Sequence, residues 1–258
     1  MHCNQLNGRH ALITGAGGGI GQAIAMALAG HGASLTLLGR DSAKLETVLQ
    51  QLPGSGHGLA LADISDYEAV KQAFHAAANA RGDIDILINN AGAARSAPLG
   101  RTDPAMWQQM LDTNLTGTYN GIHAVLPAMQ TQGWGRIVNI ASTAGLTGYA
   151  YVAAYCAAKH GVIGLTRALA LELARSGITV NAVCPGYTDT PLLQEAIANI
   201  VAKTGRSSAE AETSLAASNP QGRLIRPEEV ANTVLWLCLP GAEAINGQSI
   251  AVAGGEVM

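Results

Sequence analysis

Short apolar runs alternate with longer amphipathic stretches along most of this chain. The strand-like runs are Ala11–Thr14, Ser34–Leu38, Gly58–Ala62, Ile84–Ile88, Arg136–Ala141, Thr179–Cys184 and Ser249–Val252. Between them, helical periodicity covers Gln22–Ala29, a stretch from Ser65 to about Arg81, and one from Asp103-Pro104 to about Gln132. A further helix carries Tyr155 and Lys159 to about Arg175, and another spans Pro227–Leu239. Proline sits at the first turn of the helix that opens at Thr102-Asp103-Pro104, where its missing N–H costs nothing. Ser65-Asp66-Tyr67-Glu68 and Ser207-Ser208-Ala209-Glu210 have capping-box spacing. Residues 191–222 break the rhythm and read as two short helices parted by Gly205. Strands alternating with helices predict one α/β domain over residues 1–258, a doubly wound seven-stranded parallel sheet with helices on both faces. The irregular part, at about 187–222, follows a strand's carboxyl end, where a substrate lid belongs.

Composition narrows the function classes. Of 258 residues, 48% are hydrophobic and 13% charged, with a net charge of −3, so no basic footprint for nucleic acid is present. No apolar run approaches the about 20 residues of a membrane span, and the start has no charged leader ahead of an apolar core; a cytoplasmic protein is expected. Cys3, Cys156, Cys184 and Cys238 lack metal or disulfide spacing and read as thiols in a reducing compartment. Cys156, next to Tyr155 but about 100° round the helix, reads as structural filling. The seven histidines form no i,i+4 pair and no cluster with cysteine, so no metal is expected.

The candidate chemistry lies at the carboxyl ends of the strands. The first strand runs into Gly15-Ala16-Gly17-Gly18-Gly19-Ile20-Gly21 and then a helix, an arrangement that brings backbone N–H groups and a helix dipole to a pyrophosphate. At the end of the second strand, NAD-preferring sites place an acid against the ribose hydroxyls. Here Gly39 and Arg40 stand there, and a guanidinium pairs with a 2′-phosphate, which points to NADP. Gly18 supplies no second basic residue, so NAD stays open as the alternative. Asp63, ending the third strand, is placed to meet the adenine. Tyr155 and Lys159, four apart, project from one helix face, where an ammonium is expected to lower the phenol's pKa and make a general acid/base. Other residues at strand ends are Asn89-Asn90-Ala91-Gly92, Ser142 and Pro185-Gly186-Tyr187-Thr188-Asp189-Thr190; Asn114 lies mid-helix.

Together these residues make the chain resemble the short-chain dehydrogenase/reductase family over essentially its whole length, with Thr14-Gly15-x-x-x-Gly19-Ile20-Gly21, Asn89-Asn90-Ala91-Gly92 and the remaining segments in the family's order. The resemblance implies a Rossmann fold and hydride transfer between nicotinamide and a carbonyl or secondary alcohol. It implies a catalytic tetrad of Asn114, Ser142, Tyr155 and Lys159. Tyr155 would move the proton, and Lys159 would lower its pKa and bind the ribose. Ser142 would hold the substrate oxygen, and the Asn114 main chain would hold a relay water. Cofactor contacts are implied at Gly15, Gly18, Gly19, Ile20, Gly21, Arg40, Asp63, Ile64, Asn90, Ala91, Gly92, Pro185, Gly186, Thr188 and Thr190, with Tyr155 and Lys159 serving both roles. A homotetramer joined through the two long helices and the last strand is implied too.

For substrate, the segment from Gly148 to Cys184 resembles two subgroups: 3-oxoacyl-thioester ketoreductases, with 3-hydroxyacyl-CoA dehydrogenases beside them, and 3-hydroxybutyrate dehydrogenases. The second grips a free carboxylate with polar side chains at positions that are Ala94, Ala144 and Val152 here. A carboxylate buried without partners is costly, so reduction of a CoA- or carrier-linked 3-oxoacyl group is the favoured reading. Arg95 at the rim is a candidate for a phosphate of that carrier, or a solvated arginine; Tyr149, Tyr151 and Tyr187 are candidates for the pocket wall. The alternatives are an NAD-dependent alcohol or hydroxysteroid-type dehydrogenase and, more remotely, a non-catalytic nucleotide sensor, against which the presence of both Tyr155 and Lys159 argues.

Overall fold

In the computed structural model, which describes residues 4–258, seven parallel strands form one sheet. They are β1 (His10–Thr14), β2 (Ser34–Gly39), β3 (Gly58–Leu61), β4 (Ile86–Asn89), β5 (Gly135–Ile140), β6 (Ile178–Pro185) and β7 (Ser249–Val252). The spatial order is β3-β2-β1-β4-β5-β6-β7, so the chain builds outward from β1 to β3 and then returns to lay β4 on β1's other side. That reversal opens a crevice beyond the carboxyl ends of β1 and β4.

The strands are apolar because both faces of the sheet are covered. Residues of β1 alternate between the two layers: Ala11 and Ile13 pack with α1 (Gly19–Gly30), α2 (Ser42–Leu49) and α9 (Pro227–Cys238), while Leu12 packs on the opposite side. There α3 (Tyr67–Arg81), α5 (Gly117–Gln132) and α6 (Ala153–Glu172) supply Val70, Phe74, Ile122, Val125, Met129 and Ala170. Each of the Val, Ile, Phe and Met side chains fully withdrawn from water contributes about 1.5–3 kcal/mol. The single-domain doubly wound sheet expected from the sequence is the fold observed. Cys3 lies outside the described residues.

Several local expectations are corrected. The helix expected from Pro104 to Gln132 is α4 (Pro104–Leu111) and α5, joined by a π-helical turn at Asp112–Thr116. The N–H of Gly117 reaches back to the Asp112 carbonyl, which inserts one residue into the register at Asn114. Helix α3 is capped by Asp66, whose side chain accepts from Ala69 N–H, because Ser65 is engaged with Asp63 instead. Helix α6 stops at Glu172, short of Arg175. Helix α2 was not anticipated; it is two turns long, held by Asp41 accepting from Lys44 N–H and by buried Leu45 and Val48. Residues 191–222 contain α7 (Pro191–Thr204) and α8 (Ser208–Ala216), parted by Gly205 at φ 72°, and the Ser207–Glu210 capping box is formed.

Candidate active site

The turn after β1 is braced from β4. Thr14 Oγ1 accepts from the N–H groups of Asn90 and Ala91, both at 3.0 Å, and Asn90 Nδ2 donates to the carbonyls of Thr14 and Gly15, both at 3.0 Å. The Asn90 amide is therefore spent on holding the glycine turn. Gly15 has φ 66°, and a Cβ there would lie 2.7 Å from the Ala91 Cα; a Cβ on Gly21 would collide with the Gly15 carbonyl. At Gly18 the space is open. Ile20 is partly buried and packs into the sheet's core. Helix α1 begins at Gly19 with no side-chain cap and no acid in its first turn, so its free N–H groups and positive dipole end face the crevice. This turn fits a pyrophosphate.

Across the crevice, β6 ends at Pro185, and Gly186 N–H donates to Val252. Thr188 donates to the Gly186 carbonyl, while Thr190 caps α7 and brings its methyl to 3.1 Å from where a Gly19 Cβ would stand. At the other end, Arg40 and Asp63 approach to 3.7 Å as a loose, exposed pair. Hydrogen bonds from the Ser65 hydroxyl and N–H hold the Asp63 carboxyl below its usual range, with Arg40 adding to this. Ile64 is buried, its carbonyl accepts from Asn120 Nδ2 at 2.9 Å, and it fills the space beside Gly117.

Ser142, Tyr155 and Lys159 come together between the end of β5 and the first turns of α6. Ser142 Oγ accepts from Ala144 N–H at 3.1 Å, and its hydroxyl faces the Tyr155 phenol closely enough to favour the phenolate. Burial pushes the Tyr155 phenol up to about 12, which Ser142 partly opposes. Lys159 is buried, donates to the Ile140 carbonyl at 2.9 Å, and is held down to about 8 by burial. Its Nζ is 5.6 Å from the centroid of the Tyr155 ring. The expectation of a lowered Tyr155 pKa is thus corrected: burial raises it. A Cβ on Gly92 would lie 2.9 Å from Asn114 Oδ1 and 3.6 Å from Lys159 Nζ, so these two groups converge on one bare backbone position. The Asn114 side chain is fully committed, accepting from Ala93 N–H and donating to the carbonyls of Ala93 and Met110, and its own carbonyl accepts from Thr118.

The family profile described as "short chain dehydrogenase" matches residues 9–200. The chain belongs to the short-chain dehydrogenase/reductase family. It is 37% identical over 253 residues to the 3-oxoacyl-acyl-carrier-protein reductase FabG of Vibrio cholerae, covering 98% of this chain and 99% of that one. It is also 37% identical over 256 residues to the D-beta-hydroxybutyrate dehydrogenase of Cupriavidus necator, with 98% and 99% covered. A crystal structure of an actinorhodin polyketide ketoreductase variant with NADPH superposes at a TM-score of 0.93, with 38% identity and 98% of each chain covered. The protein is accordingly an NAD(P)-dependent oxidoreductase of a ketone/alcohol pair.

Within this short-chain dehydrogenase/reductase, several residues next to the site were not singled out from sequence. Cys184 is buried beside the triad, pushed up to about 11 by burial while the Ser142 N–H and the Lys159 charge oppose this. Thr143 is buried next to Ser142 and hydrogen-bonds Tyr149, which also donates to Glu256. Cys156 is half-buried on α6 beside Tyr155 rather than in the core. Of the three candidate wall tyrosines, Tyr149 and Tyr187 meet edge to face at 6.4 Å, whereas Tyr151 is 64% exposed at φ 68°. Arg95 donates to Gln109 at the rim. Among the described residues no group of metal-ligating side chains occurs.

Proposed function

We propose that this enzyme reduces 3-oxoacyl thioesters to 3-hydroxyacyl thioesters with NADPH. The observation that carries the reading is the clustering of Ser142, Tyr155 and Lys159, with the Lys159 ammonium 5.6 Å from the Tyr155 ring centroid and the phenol pushed up to about 12. A phenol in that state is protonated at neutral pH and ready to donate. When bound, NADPH supplies the hydride. Tyr155 gives its proton to the substrate oxygen as negative charge develops there, and the Ser142 hydroxyl hydrogen-bonds the same oxygen. The Lys159 ammonium lies in a buried setting where its charge favours the resulting phenolate. Asn114, fixed by two side-chain hydrogen bonds to Ala93, a third to the Met110 carbonyl and the π turn, holds the Gly92–Ala93 backbone against Lys159 and forms the outer end of the proton path.

The dinucleotide would lie with its pyrophosphate at Gly15, Gly18, Gly19, Ile20 and Gly21, and its adenosine end between Arg40, Asp63 and Ile64. The nicotinamide end would face Asn90, Ala91, Gly92, Tyr155, Lys159, Pro185, Gly186, Thr188 and Thr190. Arg40, 80% exposed and only loosely tied to Asp63, is free to pair with a 2′-phosphate, which favours NADPH. The thioester reading draws on the FabG and ketoreductase relatives. Against the hydroxybutyrate dehydrogenase likeness stand apolar Ala94, buried Ala144 and half-buried Val152, none of which offers a partner to a carboxylate. Residues 187–222 would close over the substrate, since α7 and α8 pack on each other and on Tyr187 as a separate small cluster. A cytoplasmic homotetramer completes the reading: Tyr119 and Leu171 expose apolar surface on the long helices and Trp236 does so on α9, and no described helix is long and apolar enough to cross a membrane.

Initial-rate reduction of acetoacetyl-CoA with NADPH and with NADH tests this. Turnover with at least about tenfold preference for NADPH, equivalent to about 1.4 kcal/mol, is expected. Oxidation of secondary alcohols with NAD, without thioester reduction, would replace the reading by the dehydrogenase one.

A further inference from the structure

The C-terminal segment brings a carboxylate to the substrate side of the site. Beyond β7 the chain bends through Gly254 and Gly255, at φ 62° and 97°, and sets Glu256 against the loop that follows Ser142. Tyr149 Oη donates to Glu256 Oε1 at 2.6 Å and also bonds Thr143 Oγ1 at 2.9 Å. A phenol has one proton, so the shorter bond to the carboxylate takes it and the Thr143 hydroxyl supplies the other. Glu256 Oε2 is buried without a hydrogen-bond partner, and among the described residues no lysine, arginine or histidine pairs with this carboxylate. Gly186 makes the approach possible, since a Cβ there would stand 2.7 Å from Oε2.

This charge belongs to the same site as the reacting groups. Thr143 is the next residue after Ser142. Burial first, and then Glu256, push up the phenols of both Tyr149 and Tyr187, and Tyr187 in turn acts on Tyr155. Lys159 makes no ion pair with this carboxylate among the described residues.

We propose that Glu256 is a specificity-determining residue whose uncompensated charge makes the site take neutral 3-oxo compounds and reject those carrying a free carboxylate. The inference rests on the carbonyl-reduction reading above and deepens it. The absence of cations at positions 94, 144 and 152 withholds attraction from a free acid; Glu256 adds repulsion in a partly desolvated pocket, where like charges interact more strongly than in water.

The test measures kcat/KM with NADPH for acetoacetate and its ethyl ester in the wild type, Glu256→Gln and Glu256→Asp, with acetoacetyl-CoA run alongside. The wild type should favour the ester. Glu256→Gln should raise the acid-to-ester ratio by about tenfold or more, as loss of one like charge at close range requires. Glu256→Asp, which keeps the charge while shortening the side chain, should keep the wild-type ratio. An unchanged ratio in Glu256→Gln, or equal shifts in both variants, would reduce Glu256 to a packing role and overturn the proposal. Failure of acetoacetyl-CoA alone would refute the thioester reading while leaving the ratio to decide on Glu256. Quenching of NADPH fluorescence by butyrate against butyramide reads the same discrimination without turnover, and equal binding of the two by the wild type would also overturn it.

Discussion

Lys159 donates to the main-chain carbonyl of Ile140 at 2.9 Å, with its ammonium 5.6 Å from the centre of the Tyr155 ring. The Tyr155 phenol has the high value, about 12, that burial imposes. Difference absorbance near 295 nm between the wild type and Tyr155→Phe, both free of cofactor, should show no ionisation of Tyr155 between pH 8 and about 10.5. An additional tyrosine titrating below pH 9 would mean that Lys159 already governs the phenol without a dinucleotide.

The same buried ammonium is a cost to the fold. Its folded-state pKa of about 8 lies below the unfolded value of 10.5, so the unfolded chain binds more protons between those values. At and below pH 8 the burial penalty is fully present, and it is relieved as pH rises from about 8 to about 10.5. Lys159→Met should therefore be inactive yet more stable than the wild type at pH 7, by about 1–3 kcal/mol after allowing for the lost bond to Ile140. The gap should narrow above pH 8. Urea unfolding across this range checks it, and a less stable variant at pH 7 would contradict it.

Gly92 marks the point where Asn114 and Lys159 meet. A methyl group there would press on Asn114 Oδ1, which is held by the Ala93 N–H. Gly92→Ala should lower kcat about 10- to 100-fold, as small misplacements in a site do, with a modest loss of thermal stability. Unchanged kcat would show that the spacing between Asn114 and Lys159 is not critical.

Arg40 has little to hold it besides Asp63 at 3.7 Å. Arg40→Asp should weaken NADPH binding about 10- to 100-fold, the worth of a charged hydrogen bond of about 1.5–3 kcal/mol. NADH binding should be unchanged or improved. Isothermal titration with both dinucleotides gives the answer, and equal NADPH affinity in the variant would make Arg40 a surface residue only.

Much of the fold was legible because strands buried on both faces read as near-continuous apolar runs, as Ala11–Thr14 and Ile84–Ile88 do. The glycine turn and the Ser142–Tyr155–Lys159 group were legible because their spacing is local. The π turn at Asn114 was not, since the residues around it keep helical character and only the hydrogen-bond register changes. The direction of Lys159 depends on a carbonyl nineteen residues earlier in the chain, and the sign of the Tyr155 shift on burial that no spacing reveals. Glu256 meets Tyr149 across 107 residues; the only signal was an acid following the Gly254-Gly255 pair in an otherwise apolar tail.

The most direct measurement is Tyr155→Phe, with NADPH affinity determined by titration and acetoacetyl-CoA reduction followed at saturating NADPH. Removing only the hydroxyl should leave NADPH affinity within about threefold while lowering kcat by about 100- to 10,000-fold, the range expected for loss of a general acid. Turnover within a few-fold of the wild type would contradict proton donation by Tyr155.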